Sequence, residues 1–199
     1  CTFFFIIGLI DDKRHLTPNT KLFFSILILA LLLYRNPSSI ISSVYIDVLN
    51  LNYSLGLLSI PFTLFCFLLF INAFNMFDGY NLQCSSYSIF LLSILYLKSN
   101  FSNIFLILII SITFFSFLNY KSKSFMGDSG TYLLAFIISY FSIKLYNSNN
   151  FVNVEEIVLL MIIPGIDLMR LFIERIFILK KSAFAPDRNH LHHYLLKKN

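Results

Sequence analysis

The sequence predicts an all-α integral membrane protein: a polytopic transmembrane helix bundle with its polar loops gathered on one side of the bilayer and a small β-hairpin on the other. Three observations carry this. The 199 residues are 57% hydrophobic and 13% charged, with a mean hydropathy of +0.76, which a soluble domain of this length does not need. Several apolar runs approach the length required to cross a hydrocarbon core of about 30 Å. Four polar clusters punctuate the chain, and two apolar segments separate each cluster from the next, so every pair of crossings returns the chain to the side it left.

The elements follow in order. Residues 1–10 read as the tail of a span; the chain opens on Cys1 within an apolar run, without an initiator Met, and so reads as a fragment lacking its N-terminal part. Further spans are expected near 22–35, 56–74, 84–97, 101–118, 130–146 and 154–173. Those at 22–35 and 84–97 are short and must borrow flanking residues or thin the bilayer. In the outer loop 36–55, the β-branched, alternating Val44-Tyr45-Ile46-Asp47-Val48 suggests a hairpin. Pro164-Gly165 should kink the last span. Asp167, Arg170 and Glu174 share one face of it, at the spacing of intrahelical ion pairs. The tail 174–199 is polar, with Pro186 interrupting it and a short helix expected beyond. Neither a linker nor a domain boundary is visible, so 1–199 reads as one transmembrane domain.

Charge gives the orientation. The side carrying the polar clusters receives twelve of the fifteen Lys and Arg residues; Arg35, Lys98 and Lys144 fall on the other side. By the positive-inside rule the clusters face the cytoplasm. The net charge of +5 is therefore first a topology signal, and it also favours anionic substrates and lipid head groups. No nucleic-acid partner is expected, because the basic residues are spread over several short loops. Cys1, Cys66 and Cys84 are too scattered to suggest a disulfide frame or a CxxC site.

Each cluster has chemistry to offer. Asp11-Asp12, where an apolar segment meets water, can bind a divalent cation, hold a cationic group or act as a base, or can simply end a helix. Asn72, Asn75 and Asp78, at i, i+3 and i+6, fan over about 120° of a helix face. Such groups join helices by hydrogen bonds or line a site. Gly79 can then end the helix in a left-handed conformation. Gly127-Asp128-Ser129-Gly130 precedes a span, where free N–H groups and the positive dipole end suit a phosphate and Asp128 could hold Mg²⁺ against it; a plain capped turn is the alternative. Arg188, His190, His192 and His193 have poor spacing for zinc and suit phosphate, or a solvated basic tail.

Together and in this order, these clusters resemble the polyprenyl-phosphate N-acetylhexosamine-1-phosphate transferases, membrane enzymes that include the bacterial UDP-GlcNAc:undecaprenyl-phosphate GlcNAc-1-phosphate transferases and the phospho-MurNAc-pentapeptide translocases. The resemblance runs from Gly8 to His193. It implies a Mg²⁺-dependent (or Mn²⁺-dependent) transfer of sugar 1-phosphate from a UDP-N-acetylhexosamine to undecaprenyl phosphate, with release of UMP. The setting it implies is the bacterial inner membrane, with the active site in cytoplasmic loops, in the initiating step of a cell-envelope glycan. Among the catalytic carboxylates, Asp11 and Asp12 match the family's Asp-Asp pair, which either activates the lipid phosphate or belongs to the metal and diphosphate environment, and Asp78 matches the catalytically important carboxylate after the Asn pair; Asn75 and Asp128 match positions associated with the metal. Asn72, Gly79, Asn81, Arg188, His190, His192 and His193 fall with the substrate-binding residues. The pattern His190-Leu191-His192-His193 looks like the GlcNAc branch rather than the peptidoglycan translocases. Where the family usually has a second Asp followed by Gly-Leu, this chain has Asn81-Leu82-Gln83. Membrane lipid is the expected surrounding, and a homodimer is compatible with such a bundle. A rival of another class, an ion-coupled secondary transporter, predicts its polar residues near mid-span.

Overall fold

A computed structural model describes residues 1–99, 102–148 and 152–173. Among them run seven α-helices: α1 (Thr2–Arg14), α2 (Pro18–Arg35), α3 (Ser59–Phe77), α4 (Gln83–Lys98), α5 (Asn103–Tyr120), α6 (Gly127–Asn147) and α7 (Val154–Ile173). Two strands, β1 (Ser43–Ile46) and β2 (Leu51–Ser54), pair antiparallel with Ser43 opposite Ser54 and Ile46 opposite Leu51. The hairpin predicted in the outer loop is thus present. The protein is a helical membrane bundle.

Among the described residues three segments are long and apolar enough to cross a membrane: Pro18–Arg35, Gly56–Phe77 and Asn103–Tyr120. The first starts upstream of its apolar run. Thr17 accepts the Thr20 N–H at 3.4 Å, and Pro18 stands at the first helical position, where its missing N–H costs nothing. That start supplies the flanking turn that the short run 22–35 requires. The helix α4 is short, with 16 residues. The helix α7 continues through Pro164, and Arg170 Nη2 pairs with Asp167 Oδ1 at 3.1 Å, as its i, i+3 spacing suggests; Glu174 lies outside the described residues. The expected span tail 1–10 falls within α1, from its N-cap Cys1 onward.

The central helix is α6, which packs against α1, α3 and α4. Its Tyr132, Ala135, Phe136 and Ile138 are buried. The Phe136 ring stacks on Phe4 of α1 at 4.8 Å and on Phe67 of α3 at 6.2 Å. Gly8 lets α1 come so close to α6 that an added Cβ would overlap the backbone of Asp128 and Ser129. By contrast α2 and α5 leave large apolar side chains exposed, among them Phe23, Leu31, Ile107 and Phe114, as lipid-facing helices do.

The two ends of the bundle differ. At one end the hairpin is tied to the C-terminus of α6: Tyr146 Oη accepts the Tyr45 N–H at 3.1 Å and donates to the Ser43 carbonyl at 2.9 Å. There too Lys98 joins α4 to Glu156 of α7 at 2.6 Å. The opposite end gathers the C-termini of α1, α3 and α5 and the N-termini of α2, α4 and α6. It holds Asp11, Asp12, Asp78 and Asp128.

Candidate active site

Asp11 and Asp12 close the last turn of α1, which ends at His15 in the left-handed conformation, with the His15 N–H on the Asp11 carbonyl at 2.9 Å. Adjacent residues on a helix point about 100° apart, so the two carboxylates part company. Asp11 turns inward and is 2% exposed. Its Oδ1 accepts the Leu16 N–H at 2.8 Å, and its Oδ2 pairs with the ammonium of Lys21 in the first turns of α2. Asp12 turns to the start of α6, where Oδ1 accepts the Asp128 N–H at 2.8 Å and Oδ2 the Ser129 N–H at 3.1 Å.

Asp12 therefore caps α6 from another helix. Met126, at the N-cap position of α6, supplies no side-chain cap. Two of the N–H groups that the sequence offered to a phosphate are already taken by a carboxylate. Gly127 has φ +62°, and a Cβ there would stand 2.9 Å from Asp12 Oδ2, so only glycine suits both the backbone and the neighbour.

Lys21 reaches Asp128 as well, at 3.4 Å from its Oδ2, so one ammonium serves two carboxylates. Their protonation diverges. Burial, a hydrogen bond shared with Asp11 and the charges of Asp11 and Asp12 push Asp128 up to about 7, against the pull of Lys21. Burial also raises Asp11, but its hydrogen bonds with Asp128 and Lys21, with the Lys21 charge, outweigh this and hold it below the ordinary carboxylate value. Asp78 follows the last residue of α3; burial, then the charge of Asp12, pushes it up to about 6. No hydrogen bond or ion pair among the described residues engages Asp78.

The loop after Asp78 is set by Asn119, a buried residue at the end of α5. Its Oδ1 accepts the Leu82 N–H at 2.6 Å, and its Nδ2 donates to the Ser124 carbonyl at 2.8 Å. This brace holds Leu82 at φ +71°, so the left-handed residue is Leu82, at the start of α4, and not Gly79. Asn81 Nδ2 donates to Ser122 Oγ at 3.0 Å.

These residues line one cleft of about 550 Å³, whose walls include Asp11, Asp12, Asp78, Gly79, Asn81 and Asp128. Three of the four polar clusters meet there. Asn75 does not line the cleft; its Oδ1 accepts the Thr131 hydroxyl at 2.6 Å, one turn into α6. Asn72 does not line the cleft, and its Nδ2 donates to the Leu68 carbonyl of its own helix at 2.7 Å. Arg188, His190, His192 and His193 lie outside the described residues. Lys21, Asn119, His15, Tyr80 and Phe125 receive no site role from the sequence, and the last four also line the cleft. Among the described residues no group of three His, Cys, Asp or Glu side chains has metal-ligating geometry.

The model of the family described as "Glycosyl transferase family 4" matches residues 1–146, from α1 almost to the end of α6. The chain is also similar to the "Probable undecaprenyl-phosphate N-acetylglucosaminyl 1-phosphate transferase" of Bacillus subtilis (strain 168). The two are 27% identical over 199 residues, covering 96% of this chain and 55% of that relative. The chain thus spans about half the length of the curated relative it matches. It belongs to glycosyl transferase family 4.

Proposed function

We propose that this member of glycosyl transferase family 4 transfers an N-acetylhexosamine 1-phosphate, most simply GlcNAc 1-phosphate, from a UDP-sugar to undecaprenyl phosphate and releases UMP. The observation that carries the reading is the meeting of Asp11, Asp12, Asp78 and Asp128, from three separate helix ends, in one cleft at one end of an apolar bundle. Such a cleft can receive a soluble nucleotide sugar from water and a prenyl phosphate from the bilayer. The similarity to the Bacillus transferase supports the same reaction class. In this reading the protein sits in the bacterial inner membrane, its cleft faces the cytoplasm, and the reaction starts a cell-envelope glycan.

In the reaction an oxygen of the lipid phosphate attacks the β-phosphorus of the UDP-sugar. The bond from that phosphorus to the bridging oxygen breaks, and UMP leaves with the oxygen. Two anions must approach each other, so the site needs positive charge. The acidic cleft fits Mg²⁺, which keeps several waters and is commonly held by one or two carboxylates plus substrate phosphates. Burial first, and the neighbouring carboxylates after it, raise Asp78 and Asp128, and a bound cation would favour their charged forms. Asp128 would hold the ion at the cleft wall, with Asn75, which meets Thr131 of the same helix start, as the neutral second position. Bound there, Mg²⁺ would neutralise phosphate charge as the new bond forms. Asp78, open to the cleft, would take the proton when the lipid phosphate arrives as a monoanion. Asn81 and Gly79, with Arg188 and the histidines of the tail, would contact the nucleotide sugar.

A transporter is disfavoured, because the carboxylates gather at helix ends and not at mid-span. The test is UMP release by the intact membrane protein supplied with undecaprenyl phosphate, Mg²⁺ and a panel of UDP-sugars. UDP-GlcNAc or a close relative should be used, and EDTA should stop turnover. Asp128→Asn should lower kcat by about 100-fold or more, within the range of losing one group that stabilises developing charge. Absence of UMP with every donor would overturn the reading, and use of UDP-MurNAc-pentapeptide alone would move the donor but keep the reaction class.

A further inference from the structure

We propose that Asp12 is a positioning residue, whose carboxylate clamps the first turn of α6 and so sets where the Asp128 carboxylate stands in the cleft. The inference rests on the transfer reaction proposed above, and it divides the labour within the Asp11-Asp12 pair.

Three observations converge. Both Asp12 oxygens are engaged, one by the Asp128 N–H and one by the Ser129 N–H. The first N–H groups of a helix have no acceptor within it, and here the acceptor comes from α1, 116 residues away in sequence. The negative charge also sits at the positive end of the α6 dipole, where charge-assisted bonds are strongest. Next, the backbones are built for this contact. Gly8, one turn before Asp12, presses α1 onto the backbone of Asp128 and Ser129, leaving no space for a Cβ. Gly127, in a left-handed conformation, clears the space that Asp12 fills. Finally, the clamp acts on the residue that matters: Asp128 carries both the clamped N–H and the carboxylate that lines the cleft. Asp11 has a different task, because it is buried and joined to Lys21.

The reading makes Gly8 and Asp12 parts of one device. Gly8→Ala leaves every titratable group in place yet pushes α1 off α6, so it should mimic Asp12→Asn. The intact protein carrying Asp12→Asn, Asp12→Glu, Gly8→Ala and the Gly8→Ala/Asp12→Asn pair would be compared in detergent by hydrogen exchange over residues 124–132 and by steady-state kinetics. Asp12→Asn should speed exchange of the first-turn amides by about tenfold, since it removes charge-assisted protection. It should lower kcat by about 100-fold, the scale of a misplaced reacting group, with KM for the donor changed little. The acidic limb of the pH–rate profile should remain, and Asp12→Glu, which keeps both acceptor oxygens, should recover part of the protection. The double variant should lose no more than the worse single one. Unchanged exchange in Asp12→Asn, disappearance of the acidic limb, or losses that multiply in the double variant would each overturn the proposal and place Asp12 at the reacting atoms. The exchange readout needs no substrate, so it judges the clamp even if the wild-type protein forms no UMP, an outcome that counts against the reaction alone.

Discussion

Lys21→Met removes the ammonium between Asp11 and Asp128 while keeping most of the side chain's stem. Deleting one partner of a fully buried ion pair costs roughly 3–5 kcal/mol, because the other charge is stranded. Here Asp11 is 2% exposed, but Lys21 keeps 23% and Asp128 34% of their side-chain surface, so water already shares the load. Asp11 also keeps the Leu16 N–H at 2.8 Å. The expected loss is therefore about 1.5–3 kcal/mol, the range for a hydrogen bond to a charged group. At the 2–4 °C per kcal/mol typical of domains of this size, that is a fall of roughly 3–12 °C in Tm. The pH dependence has a definite sign. Asp11 is held below its ordinary value of 3.8, so the stability it contributes is present above that pH and is lost as the pH falls through its folded-state value. The gap between wild type and variant should be full at pH 7 and should close as the pH drops below 3.8. Thermal unfolding in detergent, followed by circular dichroism across that range, measures both. An unchanged Tm at pH 7 would refute the role of the ion pair, and a gap that persists undiminished in acid would show that the Asp11 charge is not its cause.

Two more outcomes follow from the same end of the bundle. Gly127→Ala should destabilise the protein by more than the roughly 1–2 kcal/mol of a left-handed residue, since its Cβ would also crowd Asp12 at 2.9 Å. Gly56→Ala, at φ +50° with nothing within 4 Å, should show the backbone cost alone, and parallel thermal melts compare them. Asp78 and Asp128 sit at about 6 and about 7, above the ordinary 3.8. Their contribution to stability is fully present below pH 3.8 and is lost as the pH rises through 6 and 7. In cation-free buffer Tm should decline across that window, and Mg²⁺ should raise Tm more at pH 8 than at pH 5; a larger Mg²⁺ effect at pH 5 would contradict cation binding by the charged carboxylates.

The bundle is legible in the sequence because run length and polarity are local properties. The short run at 22–35 becomes an adequate span once Thr17-Pro18 starts the helix early, and that capping signal is local too. The membership of the cleft is half legible: polar residues at helix ends share a side when crossings are counted in pairs, and this brings Asp11, Asp12, Asp78, Asn81 and Asp128 together. What the residues do to one another is not legible, because each bond joins distant segments. Lys21 reads as a topology charge, yet it serves Asp11 and also Asp128, 107 residues away. Asn119 lies just beyond the span expected at 101–118 with no local signal of a role, yet it fixes Leu82. The start of α6 reads as a phosphate cradle, yet Asp12 already occupies two of its donors. The distinction decides chemistry. A carboxylate bonded to two backbone N–H groups and one paired to an ammonium have geometry to maintain, while a carboxylate with no bond among the described residues can meet a substrate. In the proposed reaction Asp78 would therefore be the group that exchanges a proton, and Asp128, whose backbone is held by Asp12 and whose partly exposed carboxylate meets Lys21 only at 3.4 Å, the group that would meet a cation.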